Sequence, residues 1–387
     1  RNLGLSKTFL AGLSYMKSTL VKRPEVSLED FYINRFGKRL YSMFFEDYTE
    51  KVWGKHPSAL GAEWGAQRVK GLSLSGVIKD MLSSKLNRKD GRKVETSLIE
   101  DFIYPKFGPG QLWECVAEEI KEKGGTVRME SRVSKVHVEG NRVVAVTVES
   151  PDGRRDRVGC DVFLSSMPLK DLVASIDGID VPEEVGRAAA SLPYRDFITV
   201  GLLVDKLKLR NETAIPSYKD RIPDTWIYVQ ERDVRLGRVQ VFNNWSPYMV
   251  ADYEGKMWIG LEYFCAEGDE MWEMPDKDFI RMAVSELEKI GIIDREDVED
   301  AVRIRVRKAY PAYYGSYSEL PAIRAFLDRI ENLYCIGRNG QHRYNNMDHS
   351  MLTAMEAVDA ILSGCPAVDK SPVWNVNTED DYHETRN

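Results

Sequence analysis

None of the five cysteines, Cys115, Cys160, Cys265, Cys335 and Cys365, stands in a Cys-x-x-Cys pair, and their number is odd. That spacing excludes a disulfide framework and a structural zinc site, and it suits a reducing compartment, the cytoplasm. No apolar run approaches the roughly 20 residues that a membrane-spanning helix needs. Positive charge is not in excess either: 54 Lys and Arg stand against 61 Asp and Glu, a net charge of −7. A surface of that sign does not draw in phosphate backbones over long range, which excludes a dedicated nucleic-acid binder. Internal repeats and low-complexity segments are also missing. What remains is an ordinary globular composition, 43% hydrophobic and 30% charged, over 387 residues, enough for two or three lobes.

Residues 1–98 read as mainly helical. Thr8 to Met16, flanked by Lys7 and Lys17, has the look of a signal-peptide core, but no small-residue cleavage site follows it. Leu3, Phe9, Leu10, Leu13, Met16 and Leu20 fit better as one face of an amphipathic helix. Ser27, followed by Leu28-Glu29-Asp30, predicts a second helix start. The basic stretch at Lys85, Arg88, Lys89, Arg92 and Lys93 predicts a solvated loop. Across 99–172 come a turn at Phe107-Gly108-Pro109-Gly110 and a helix carrying Leu112, Trp113, Val116, Ala117 and Ile120. Strands follow at Val127/Met129, Val136/Val138 and Val144 to Val148, and the segment closes on a buried strand ending at Ser165-Ser166-Met167-Pro168. Residues 173–322 are dominated by aromatic strand-like runs, broken by a helix from Lys277 to Ile290. Residues 323–366 run strand, glycine-punctuated loop and helix, and 367–387 form a charged surface tail containing Trp374.

The stretch Tyr334-Cys-Ile-Gly337-Arg338-Asn-Gly340-Gln-His342-Arg343-Tyr344-Asn-Asn-Met347-Asp348 carries the strongest chemical signal. A strand emptying through glycines into a helix places amides and a positive dipole end at one point. Such a point takes an anion: a phosphate, a carboxylate, or the N1/O2 edge of a reduced isoalloxazine. Asp348 also fits simple helix capping. His342 and His349 have no carboxylate or cysteine at ligand spacing, which excludes a metal site. No Ser-His-Asp or paired-carboxylate arrangement is present, so no side chain is assigned as acid, base or nucleophile.

Gly-Arg-x-Gly-x-x-Arg-Tyr-x-x-Met-Asp ahead of a long apolar helix resembles the FAD-contacting signature of the flavin-containing amine oxidase superfamily. That group includes protoporphyrinogen oxidases, phytoene desaturases and UDP-galactopyranose mutases. The unit at 99–172 is similar as well, in its Gly108-Pro-Gly110-Gln-Leu112 turn, Arg132-Val133 and Ser165-Ser166-Met167-Pro168. The resemblance implies an α/β fold in which a discontinuous Rossmann-like FAD domain (99–172 and 323–366) carries an inserted antiparallel-sheet substrate domain (173–322). Residues 1–98 would be a helical substrate-side region. It further implies FAD as cofactor, contacted by Val133, Ser166, Pro168, Gly337, Arg338, Tyr344, Met347 and Asp348.

Tyr48-Thr49-x-Lys51-x-Trp53-Gly54 looks like a segment of the galactopyranose mutases in which Thr and Trp line a nucleotide-sugar cleft. By that likeness Thr49, Trp53, Arg68 and Tyr344 would contact substrate, as would Tyr317, which stands where the superfamily places residues facing the flavin. The second prominent arginine of the mutases' mobile loop has no counterpart after Arg68, and a diphosphate favours a bidentate guanidinium. The aromatics Trp226, Tyr228, Phe242, Trp245, Tyr248, Trp258, Tyr263 and Phe264 would form a substrate box or plain core.

The Gly-x-Gly-x-x-Gly loop that cradles the FAD pyrophosphate in this superfamily occurs nowhere in the sequence. The expectation is therefore a fragment, starting at Arg1, of a protein with roughly a hundred further upstream residues, of the order of a βαβ unit and its follow-on. Three functions follow from the resemblance. The first is an FAD-dependent oxidoreductase whose flavin accepts a hydride from a small molecule, a nucleotide sugar or a glycan-linked intermediate. The second is a mutase-like flavin-dependent isomerase, and the third is a non-catalytic relative that keeps the fold.

Overall fold

Helices α1 (Leu5–Leu20), α2 (Leu28–Phe44) and α3 (Glu46–Trp53) open the chain. Ser27 caps α2 as its sequence predicts: its Oγ accepts from the Asp30 N–H, and Asp30 Oδ2 accepts from the Ser27 N–H, both at 3.2 Å. The helix kinks at Gly37, whose φ is +80°. Helix α1 crosses there so closely that a Cβ on Gly37 would lie 2.8 Å from the backbone of Ser14 and Tyr15. The computed structural model describes residues 4–62, 103–363 and 369–378. The chain divides into two units, one of 1–125, 196–307 and 383–387, the other of 126–195 and 308–382.

In the first unit a five-stranded sheet runs β10-β6-β9-β8-β7. Its strands are β6 (Tyr194–Val204), β7 (Trp226–Tyr228), β8 (Arg238–Val241), β9 (Met257–Cys265) and β10 (Val298–Pro311). The pairs β6/β9, β8/β9 and β7/β8 are antiparallel. Strand alternation sends Ile198, Val200, Leu202, Val239, Val241, Ile259, Leu261 and Tyr263 into one core. The helix Asp276–Lys289 covers it with Phe279, Ala283 and Leu287. On the other face Gly201 pairs with Gly260 across the ladder. A Cβ at Gly201 would meet the Trp258 ring at 2.7 Å, and one at Gly260 the Phe242 ring at 2.8 Å, so the two glycines make room for aromatics.

The second unit holds a sheet ordered β3-β2-β1-β5 and a two-stranded parallel sheet, β11-β4. Strands β1 (Arg132–Glu139), β2 (Arg142–Glu149) and β3 (Arg155–Gly159) form an antiparallel meander, and β5 (Ile176–Asp177) joins β1 in parallel. Strands β4 (Phe163–Ser165) and β11 (Leu333–Cys335) pair Phe163 with Leu333 and Ser165 with Cys335. Leu169, Leu172, Val185, Ala188, Ile323 and Leu327 pack against β1, β2 and β11 to form this unit's core. The architecture is thus mixed α/β, with a Rossmann-like parallel element, an inserted antiparallel sheet and helical segments.

Several elements differ from the reading of the sequence. Val127 and Met129 form no strand: the chain turns at Glu130, φ +51°, and Met129 is 79% exposed. An extended run needs a neighbour to hydrogen-bond, and among the described residues it has none. Strand β8 stops at Val241, and Phe242–Trp245 make a helical turn. Gly337–Gly340, expected as open loop, is also one helical turn. The tail expected after 367 packs down over 369–378: Trp374 is 4% exposed and its Nε1 donates to Asp328 Oδ1 at 2.9 Å. The apolar faces read on the helices Gly110–Glu122 and Met347–Leu362 are exposed, Trp113 at 43% and Met355 at 61%. Thr353 and Ala357 bury the second of these helices instead. Arg68 and the basic stretch at 85–93 lie outside the described residues.

Candidate functional site

The carboxyl ends of β4 and β11 lie side by side, and the chain leaves both there, through Ser166-Met167-Pro168 and through Gly337 to Asn346. In open parallel sheets the crevice beyond such strand ends is where ligands bind. Gly340 draws the second loop onto the first: a Cβ there would sit 2.5 Å from the Ser165 carbonyl oxygen and 3.3 Å from Ser166 Cα. Gly337 adopts φ +73° and donates its N–H to Thr353 Oγ1 at 2.8 Å. Pro168 is half-buried and Ser166 exposed.

The loop's own amides are mostly bonded within the protein. Gln341 donates to the Gly337 carbonyl, His342 to that of Asn339 and Arg343 to that of Arg338. The Tyr344 N–H donates to Tyr313 Oη at 2.5 Å. The amides left without a helical partner are those in the first turn of the helix Met347–Leu362, where Met347 and Asp348 lie at the surface.

Arg338 is the most distinctive group here. Its Nε donates to the Asn345 carbonyl at 2.7 Å and its Nη1 to that of Ala309 at 3.1 Å. The guanidinium lies 4.8 Å from the Tyr344 ring centroid and 5.5 Å from that of Tyr310, and these two rings stack at 5.5 Å. Among the described residues no carboxylate neutralises Arg338 and its Nη2 makes no hydrogen bond. Tyr317 stacks on Tyr313 at 4.4 Å and tilts against His342 at 6.1 Å. Of the residues anticipated from sequence, Ser166, Pro168, Gly337, Arg338, Tyr344, Tyr317 and the Met347-Asp348 turn thus belong to one neighbourhood in the second unit.

Buried polar atoms without partners gather at the same loops. Ser165 Oγ, Asn339 Oδ1, Ser316 Oγ and His342 Nδ1 have no hydrogen bond among the described residues. His342 is wholly buried with its Nε2 on the Ala312 carbonyl at 3.2 Å, and burial pushes its pKa down to about 4. Unpaired buried polar atoms of this kind call for a water or a ligand. The parallel strand ends, the Gly340 contact and these atoms fit a flavin ring edge. Residues for the pyrophosphate are not among them. Val133 is half-buried beside a surface groove of about 600 Å³ lined by Glu130, Ser131, Arg132, Glu149, Ser150, Pro151 and Gly153.

Thr49 and Trp53 lie in the first unit, 5% and 2% exposed. Lys51, between them, serves as a pin: its Nζ donates to the carbonyls of Val229 (3.1 Å), Glu231 (2.7 Å) and Leu236 (3.0 Å). Burial lowers its pKa. The expected aromatic box splits by strand parity. Tyr263 enters the core, while Trp226, Tyr228 and Phe264 take the opposite face with Tyr48. Sequence reading missed Arg238 on that face: it pairs with Glu262 and lies 4.6 Å from the Trp226 ring centroid and 5.0 Å from that of Phe264. Its position in register with Glu262, itself bonded to Gln240 at 2.5 Å, needed the strand pairing to be known.

A parallel-strand element followed by an exposed helix start in one unit, and an inserted antiparallel sheet in the other, are the parts of a class of two-part nucleotide-cofactor proteins. The family model of flavin-containing amine oxidoreductases matches residues 4–370, and the chain belongs to that family. Its superfamily joins amine oxidases, protoporphyrinogen oxidases and galactopyranose mutases. The fold is similar to that of reduced UDP-galactopyranose mutase, with a TM-score of 0.75 and 20% identity over 98% of this chain and 77% of the other. It is also similar to a provisionally assigned protoporphyrinogen oxidase from Exiguobacterium, with a TM-score of 0.57 and 15% identity over 87% and 68%. An oxidoreductase from Methanosarcina mazei gives 0.53 and 14% over 87% and 68%.

Proposed function

We propose that the chain carries the flavin-edge and substrate-anion contacts of an FAD-dependent isomerase acting on a nucleotide sugar. The observation that carries this is Arg338, a half-buried guanidinium held by two carbonyls and two stacked tyrosines with no carboxylate among the described residues beside it. A cation fixed in place without a counter-ion is prepared for an anion brought by a ligand, and a planar fork suits a diphosphate. Tyr310 and Tyr344 hold the guanidinium plane, and the buried ring of His342 with the half-buried rings of Tyr313 and Tyr317 keeps water from the crevice beside it. Gly340 lets the 337–346 loop pack onto the end of β4, and the start of the helix Met347–Leu362 stabilises negative charge on the bound ring edge. The flavin, when bound, supplies the electron-rich centre at which the sugar reacts. The likeness to the mutase in overall fold favours this reading over the oxidoreductase one. Hydride acceptance from a similar anionic substrate is the second reading, favoured by the missing mutase arginine after Arg68.

The test uses the whole protein with FAD, reduced by dithionite, and UDP-galactose. Pyranose–furanose interconversion without consumption of an electron acceptor supports the isomerase. Product formation only when an oxidised acceptor is consumed refutes it in favour of the oxidoreductase. Arg338→Lys should weaken UDP binding roughly tenfold or more in calorimetric titration, since the fork is lost while the charge stays. Equal UDP affinity in the variant removes Arg338 from the site.

A further inference from the structure

Helix α1 is packed inside out for a surface helix. Ala11 and Ser18 are buried and Ser14 and Tyr15 half-buried, forming the narrow stripe that meets α2. Ser14 Oγ accepts from the Arg39 N–H at 3.1 Å, and the Gly37 backbone lies directly against the Ser14–Tyr15 backbone. Small residues thus hold α1 down. The bulky ones point outward: Phe9 is 66% exposed, Leu13 48%, Met16 59% and Leu20 83%, with Leu10 beside them. These positions, four, three and four apart, lie along one side of the helix. An amphipathic surface helix ordinarily turns that side to the core.

Charge says what covers this face. Between Leu5 and Pro24 there are four bases, Lys7, Lys17, Lys22 and Arg23, and no acid, in a chain whose net charge is −7. Lys7 and Lys17 have no ion-pair partner among the described residues, and Lys22 Nζ donates to the Asn34 carbonyl rather than to a carboxylate. Two other described helices also expose apolar side chains, but acids outnumber bases along them: Gly110–Glu122 carries Glu114 and Glu122 besides Glu118 and Glu119, which pair with Lys121 and Lys123, and Met347–Leu362 carries Asp348, Glu356 and Asp359. Of these three helices an anionic surface would attract α1 and repel the other two.

We infer that α1 is a membrane-docking helix: Phe9, Leu10, Leu13, Met16 and Leu20 enter the acyl boundary of an anionic bilayer, Lys17 at their border meets its phosphate headgroups, and Lys7 and Lys22 add to the positive charge of the segment. An apolar face on a cationic segment lies in the plane of the interface, and its binding combines buried apolar area with attraction to anionic lipid. The α1–α2 contact, made through backbone and small side chains, gives this face a rigid mount.

The test is flotation of the whole protein with vesicles of phosphatidylcholine alone and of phosphatidylcholine with about one-third phosphatidylglycerol. The protein floats with the anionic vesicles, does not float with the neutral ones, and is released by high salt. Lys7→Gln/Lys17→Gln lowers the partition coefficient roughly fivefold per lysine. Leu13→Gln/Met16→Gln lowers it roughly tenfold or more, and neither pair shifts thermal unfolding because all four side chains are exposed. No flotation with either vesicle overturns the inference. So does flotation that both double variants leave unchanged, which places the contact elsewhere. A dimer in sedimentation that Leu13→Gln/Met16→Gln dissolves, without vesicle binding, overturns it in favour of a second copy of the chain.

Discussion

Lowering the pH should destabilise the second unit through one residue, His342. Its ring is wholly buried, lies edge-on to Tyr194 at 4.6 Å, and among the described residues hydrogen-bonds the Ala312 carbonyl alone. That carbonyl must accept from Nε2–H, so Nδ1 is a bare acceptor facing protein. Protonating it would bury a charge without a counter-ion, and desolvation accordingly pushes the pKa from 6.5 down to about 4. The folded value lies below the unfolded one, so the unfolded chain takes up the proton first. The stability is fully present above about pH 6.5 and is lost as pH falls from there to about 4. A depression of that size corresponds to about 3 kcal/mol, a large share of a typical domain's total. The assay is urea denaturation at pH 7 and pH 4, comparing wild type with His342→Phe. The variant keeps a ring in the site, and other titrating groups are common to both proteins. Wild type should lose about 3 kcal/mol more than the variant across that interval. An equal loss in both would refute the burial argument.

Other expectations follow from single contacts. Gly340→Ala puts a methyl group into the Ser165 carbonyl, so it should cost about 1–3 kcal/mol in denaturant unfolding and reduce FAD retention. Unchanged stability and flavin content would mean that the strand-end approach is slack. Lys51→Met removes the donor to three carbonyls of the 229–236 loop, and about 3 kcal/mol should be lost. A loss below half a unit would show those carbonyls to be hydrated in solution.

What was readable in advance was whatever depends on local pattern. Ser27-Leu-Glu-Asp signals a cap by itself, and the apolar and aromatic runs in β6 and β9 mark both as strands. The Gly337–Asp348 run identified the strand–turn–helix because glycine positions and a helix start are encoded within a dozen residues. Burial was less legible. Trp374 lies in a charged stretch and looked like tail, yet Asp328, 46 positions earlier, accepts its indole N–H. The apolar faces of α1 and of Met347–Leu362 predicted core contact, but periodicity says which side is apolar, not what lies against it. Residues 127–129 show the converse case, strand-like residues without a paired neighbour. In the site, Arg338, His342 and Tyr344 stand in the motif, while the contacts of Tyr310 and Tyr313 with them depend on the fold bringing 308–317 beside 337–346. Arg238 was hidden for a similar reason, since a lone arginine in a strand becomes notable only opposite Glu262.

Hydrogen exchange on the whole protein, with and without FAD, tests most directly whether the β4 and β11 strand ends hold the flavin. The account predicts slower exchange at Ser165–Leu169 and at Gly337–Ser350 when FAD binds. FAD binding that leaves both segments exchanging at their original rates would contradict it.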